Sequence, residues 1–140
     1  MSELGLIHHR VEVEVEYFLA LVAMPLPQLA DFPQDKVEPF RDVYRTFSEA
    51  DAQWVKDKER ITNHDVKAVE YFVKEAMEQL GVGAWKEFVH FGLTSQDVNN
   101  TAVPLSLKRA TEQVVLPLLD ETIADVARLA VEWKLSLIHI

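Results

Sequence analysis

Two short stretches carry residue types suited to holding an anion or moving a proton. "TNHDVKAVEYF" spans residues 62–72 and "FVHFGLTSQDVNNTA" spans residues 88–102. Each sets a threonine three residues ahead of an acid, Thr62 before Asp65 and Thr94 before Asp97. That interval predicts a helix start in which the hydroxyl caps a free backbone amide and the acid reaches back. Helix N-termini attract anions, because unpaired N–H groups and the positive dipole end point the same way. A capping box by itself is an ordinary structural device. Two features ask for more: His64 stands inside the first box, and the second carries Thr94, Ser95, Gln96, Asp97, Asn99 and Asn100, more hydrogen-bonding groups than a cap uses.

These starts need helices behind them, and the chain reads as helical throughout. Val66, Val69, Val73, Ala76 and Leu80 form one stripe that Gly81 ends. Phe40, Val43, Phe47, Ala50 and Trp54 recur at alternating steps of three and four, predicting one helix with Asp35 as its cap and Pro39 in or near its first turn. The longest run carries Leu116, Leu119, Ile123, Val126, Ala130, Trp133 and Leu137, a seam long enough to pack lengthwise against other helices. Pro104 and Pro117 should bend or locally interrupt it. "VEVEVE", residues 11–16, alternates like a half-buried strand, yet Val11, Val15, Phe18 and Val22 also fit a helical stripe. No other segment offers a strand partner, so a helix is expected, followed by the proline-rich connection "MPLPQLADFPQD" at residues 24–35.

Composition narrows the function classes. The chain has 140 residues, 49% of them hydrophobic, enough for one domain-sized core. Lys and Arg total 14 against 23 acids, a net charge of −9, which disfavours non-specific nucleic-acid binding. With no cysteine, disulfides, thiolate metal sites and thiol nucleophiles are excluded. The glutamate-rich first twenty residues predict no signal peptide, and no apolar run approaches the roughly 20 residues that span a bilayer. A cytoplasmic protein is the expectation.

The two motifs, in order, together with "RTFSEADAQWVKDKER" and the N-terminal "ELGLIHHRVEVEVEYFLAL", closely resemble the adenylosuccinate lyase family of the fumarase/aspartase superfamily. The likeness covers residues 3 to about 134. It implies an all-α fold: an N-terminal helical domain over 1–84 and, over 85–140, the start of a central helical bundle. It implies a carbon–nitrogen lyase that releases fumarate from adenylosuccinate by β-elimination, and likewise from the succinyl-aminoimidazole carboxamide ribotide of purine biosynthesis. No cofactor and no metal are implied, and the implied partners are the nucleotide substrate and three further copies in a homotetramer, with neither nucleic acid nor membrane.

Carried over by position, Asn63, His64 and Asp65 match the family's substrate-contacting "NHD", and Thr94 and Ser95 its carboxylate-binding "TS". His90 matches a histidine at or near the site, and His64 supports catalysis. Asn99 and Asn100 are expected to hold neighbouring helices, Arg60 and Lys67 to be solvated or structural, and His8, His9 and His139 to lie on the surface. The family's Asp-Gly-Arg-Tyr opening and its threonine-histidine-glycine segment are not in this sequence, nor is the mobile serine loop. The chain is therefore expected to be an inactive internal fragment, lacking the general acid and base, with a non-native tail over 135–140. The alternatives are another superfamily lyase or cycloisomerase, and a non-catalytic helical scaffold.

Overall fold

The computed structural model describes residues 2–135, and the chain divides into two units, 1–106 and 107–140. Among the described residues there are helices and turns but no strand. In the first unit, α1 spans Glu3–Ala23, with Ser2 as its N-cap accepting the Gly5 amide at 3.2 Å. The alternating "VEVEVE" is part of this helix. Ile7, Val11, Val15 and Phe18 fall on one face and are buried, which gives the segment more apolar burial than an unpaired strand could.

Short 3-10 turns at Pro27–Leu29 and Gln34–Lys36 carry the proline-rich connection to α2, Val37–Arg45. α3 then runs Glu49–Thr62. The single helix expected through Phe40 and Trp54 is thus two. Ser48 breaks it: the Asp51 carboxylate accepts the Ser48 amide at 2.8 Å, and the Ser48 hydroxyl accepts the Asp51 amide at 3.4 Å. This reciprocal box starts a new helix at a point where the apolar rhythm continues across the join. Asp35 does not cap α2 either; it lies in the preceding turn, and the N-cap position is Lys36, without a side-chain bond.

α4 spans Asp65–Gln79 and lays Val66, Val69, Val73 and Met77 into the core. Gly81 follows with φ +77°, a left-handed stop that favours glycine. The core is aromatic on its α1–α2 side, where Phe18 meets Phe32 and Phe40 edge-on at 5.4 and 5.5 Å between ring centres. A 3-10 segment, Gly83–Phe88, leads to α5, Ser95–Ala110.

In the second unit, a π turn at Thr111–Val115 precedes α6, Leu116–Trp133. The turn sits where Pro117 predicts trouble. Proline has no amide to give the carbonyl four residues back, and its ring crowds that carbonyl, so the ladder widens there. Pro104 lies inside α5 without ending it. No side chain of α6 is buried; Leu119, Ile123, Val126 and Trp133 are each at least half exposed. Of the suspected tail over 135–140, residues 136–140, with Leu137 and His139 among them, lie outside the described residues. No described helix is long and apolar enough to cross a membrane.

Candidate functional site

The two motifs meet on α1. Arg10, Glu14 and Tyr17 stand at i, i+4 and i+7, so they project from one side of the helix. Arg10 places Nη2 at 2.7 Å from Asp65 and donates through Nε to the Asn99 side-chain oxygen at 2.9 Å. One guanidinium therefore holds the first turn of α4 to the first turns of α5. One helical turn on, Glu14 pairs with His90, and Tyr17 donates to the Phe91 carbonyl at 2.9 Å. The sequence reading named none of these three residues. Their signal was weak: each is one polar residue beside a buried apolar stripe, and its partners lie far along the chain, Tyr17 and the Phe91 carbonyl being 74 positions apart.

At the first motif the local capping differs from expectation. Thr62 is the last residue of α3, and its hydroxyl bonds the carbonyls of Glu59 and His64. Asn63 turns the chain left-handed, φ +51°, and His64 becomes the N-cap of α4. Its Nδ1 accepts the Lys67 amide at 3.1 Å, which leaves Nε2 as the protonated, donating nitrogen of the neutral ring. Asp65 caps its neighbour, accepting the Val66 amide at 2.8 Å. Burial works to raise the Asp65 carboxyl, but that amide and the Arg10 guanidinium outweigh it and hold the group below the usual carboxylate range.

The second motif keeps half of its expected box. Asp97 accepts both the amide and the hydroxyl of Thr94, at 2.7 and 2.8 Å, and these bonds hold its carboxyl below the ordinary range. Thr94 is committed to the helix start. Ser95, half-buried beside it at the first position of α5, makes no side-chain hydrogen bond among the described residues. Asn99 holds α1 as expected, whereas Asn100 bonds Gln96 of its own helix at 2.8 Å. Lys67 pairs with Glu70 and Arg60 with Asp57, both within their own helices. Arg10 joins Asp65 to Asn99, and the chain itself joins His90 to Thr94 and Ser95; no described hydrogen bond joins His64 to Thr94 or Ser95.

Two cavities lie beside these residues. One, about 470 Å³ between α1 and the start of α5, is lined by Glu12, Glu16 and Asp97 among apolar groups, which repels an anionic ligand. The other, about 420 Å³, has Lys58, Lys67, Lys74 and Lys86 in its wall, but Lys67, Lys74 and Lys86 are paired with glutamates. The site residues form an open surface at two neighbouring helix starts. For a divalent ion, His8, His9 and Glu12 could offer one ligand atom each within 4.8 Å of one another. Both rings already hold a backbone carbonyl, Tyr44 at 2.9 Å and Gly5 at 2.6 Å, and both are half-buried where surface positions were expected.

A family model described as "Lyase" matches residues 6–136. The chain is 47% identical over 138 residues to an adenylosuccinate lyase of Dictyostelium discoideum, covering 95% of this chain and 30% of that protein. Similar proteins of the same name occur in Vibrio cholerae, at 43% identity over 139 residues, and in Escherichia coli strain K12, at 41% over 135. Each again covers 95% of this chain, which spans about 30% of the length of these curated relatives.

Proposed function

The chain belongs to this lyase family, and we propose that it forms the substrate-binding N-terminal region of an adenylosuccinate lyase. The observation that carries the reading is Arg10, whose bonds to Asp65 and Asn99 bring two polar helix starts onto one surface. The substrate would bear two carboxylates and a phosphate. The start of α5, the Ser95 hydroxyl, which makes no bond among the described residues, and the exposed His64 ring suit such an anion.

The reaction is an elimination without metal or redox cofactor. A base takes the proton beside a succinyl carboxylate, the carbon–nitrogen bond breaks, and an acid protonates the departing nitrogen, giving fumarate and AMP. The same chemistry on the succinyl-aminoimidazole carboxamide ribotide gives its amide. Charge builds on the carboxylate as the proton leaves, so fixed donors at that group lower the barrier. Ser95 and the α5 amides fill that role, while Asn63, His64, Asp65 and His90 bind the remainder of the nucleotide. The proton-transfer pair belongs to segments outside these 140 residues, so the chain alone is inactive.

We place the enzyme in the cytoplasm, in purine and AMP biosynthesis, as a homotetramer. The half-exposed stripe of Leu119, Ile123, Val126 and Trp133 supports self-association, since such a face is unfavourable in water. The open site supports it too, because neighbouring copies would wall it. The test is a chimaera in which residues 6–136 replace the matching segment of the Dictyostelium relative. It should assemble as a tetramer and cleave adenylosuccinate to fumarate. A folded, tetrameric chimaera that binds no substrate would overturn the reading.

A further inference from the structure

Glu14 is fully buried, midway along α1. Its Oε1 lies 2.5 Å from His90 Nδ1, and its Oε2 is enclosed with no hydrogen-bond partner among the described residues. Burial raises its carboxyl above the ordinary range, against the pull of His90, and the neighbouring Glu70 carboxylate adds to the rise. Glu70 gives it no relief: its own oxygens are held by Lys67 at 2.7 Å and Lys74 at 3.0 Å. An enclosed acid with one oxygen unsatisfied is a poor way to pack a helix, because an apolar side chain of similar volume is usually neutral or better.

The partner is costly as well. His90 holds φ +63°, a left-handed backbone that a non-glycine residue adopts at a steric cost. Tyr17 fixes the next residue by donating to the Phe91 carbonyl, and Gly92 at φ +74° completes the turn into Thr94. A buried acid and a strained backbone thus converge on one imidazole, shortly before the α5 start at Ser95. Neither is explained by the stability of the helices they join.

We propose that Glu14 is the positioning residue for His90: it accepts the Nδ1 proton and so fixes the ring's orientation and tautomer, leaving Nε2 as the nitrogen offered to ligand. The inference rests on the reading of His90 as a substrate-contacting residue. In the neutral ring, Nε2 then accepts from a hydroxyl or amine of the nucleotide. When the ring takes a second proton, Nε2 donates instead, and Glu14 supplies the countercharge.

The test begins with the wild-type 140-residue chain, by recording nitrogen–proton correlation spectra of its histidine rings, with His90 assigned from the His90→Asn variant. The expected result is a neutral His90 protonated at Nδ1 and bare at Nε2. Glu14→Leu should return it to the Nε2–H form, while Glu14→Gln, which keeps an acceptor oxygen, should retain Nδ1–H. In the chimaera, Glu14→Leu should lower kcat/KM by about tenfold or more, as losing a ligand's supporting bond does elsewhere. It should cost nothing further in a His90→Asn background. A wild-type His90 found as the Nε2–H tautomer overturns the proposal, and so do fully additive losses in the double variant. Should Glu14→Leu fail to fold, the wild-type and Glu14→Gln spectra still decide. A chimaera without lyase activity but with Nδ1–H on His90 would overturn the proposed function and leave the positioning intact.

Discussion

Arg10 Nη2 lies 2.7 Å from the Asp65 carboxylate, and this contact ties the first helix to the start of the fourth. The arginine side chain is 11% exposed and the aspartate 45%, so the pair is half screened by water. Arg10→Ala should cost about 1–2 kcal/mol, less than for a fully buried pair because of that screening. Urea unfolding of Arg10→Ala, Asp65→Asn and the double variant measures it. A double variant equal to the sum of the singles would show the two residues act independently.

Thr94 and Ser95 should separate. The Thr94 hydroxyl and amide are bound to Asp97, so Thr94→Ala should lower stability by about 1 kcal/mol. Ser95 has no side-chain bond to lose among the described residues. Ser95→Ala should leave the unfolding midpoint nearly unchanged and lower kcat/KM in the chimaera by roughly ten- to a hundredfold. Unaltered turnover in Ser95→Ala would remove that residue from the site.

His64 has two duties that one substitution can divide. Its Nδ1 caps α4 through the Lys67 amide. Asparagine caps as well as any residue, so His64→Asn should retain stability to within about 0.5 kcal/mol, whereas His64→Ala should lose about 1. Both should lower turnover of adenylosuccinate, because neither supplies the donating Nε2. Calorimetry alongside kinetics distinguishes the outcomes, and full activity in His64→Asn would make the residue a cap only.

Acid should destabilise the fold. Glu16 is held below its ordinary value of 4.5 by Arg41 and Tyr44; Glu70 is lowered by Lys67 and Lys74 against its burial, and Asp65 falls below 3.8. A depressed carboxyl contributes stability above its unfolded value and loses it as pH falls through the folded one, where the unfolded chain binds more protons. Glu14 has the opposite sign: its raised carboxyl contributes below 4.5 and loses that contribution as pH rises. The melting temperature should therefore fall as pH drops below about 4.5, and Arg41→Ala should flatten the fall. A profile unchanged by Arg41→Ala would detach Glu16 from it.

Helical class was legible because Val66, Val69 and Val73, and likewise Val11, Val15 and Phe18, keep a 3.6-residue rhythm that burial later uses. Periodicity did not reveal the break at Ser48, since the stripe stays in phase across it, although "SEAD" held the capping box that makes the break. Thr62 misled for a related reason. Its interval to Asp65 is right, but spacing cannot show that Asn63 turns left-handed and hands the cap to His64. The motif residues themselves could be read from residue type. Arg10 and Glu14 could not, because a polar residue on a buried face has meaning only through partners that the fold brings to it.

The polar row on α1 also sets an order of events in time. Its bonds to Asn99, His90 and Phe91 close separations of 89, 76 and 74 residues. The loop entropy of such closures is lost before the contact repays it, so the pairing of α3 with α4, whose contacts are local, forms ahead of them. The row is thus a late latch. Substitutions at Arg10, Glu14 or Tyr17 should quicken unfolding while hardly slowing refolding, and the surface proposed to meet the substrate should be completed late in folding.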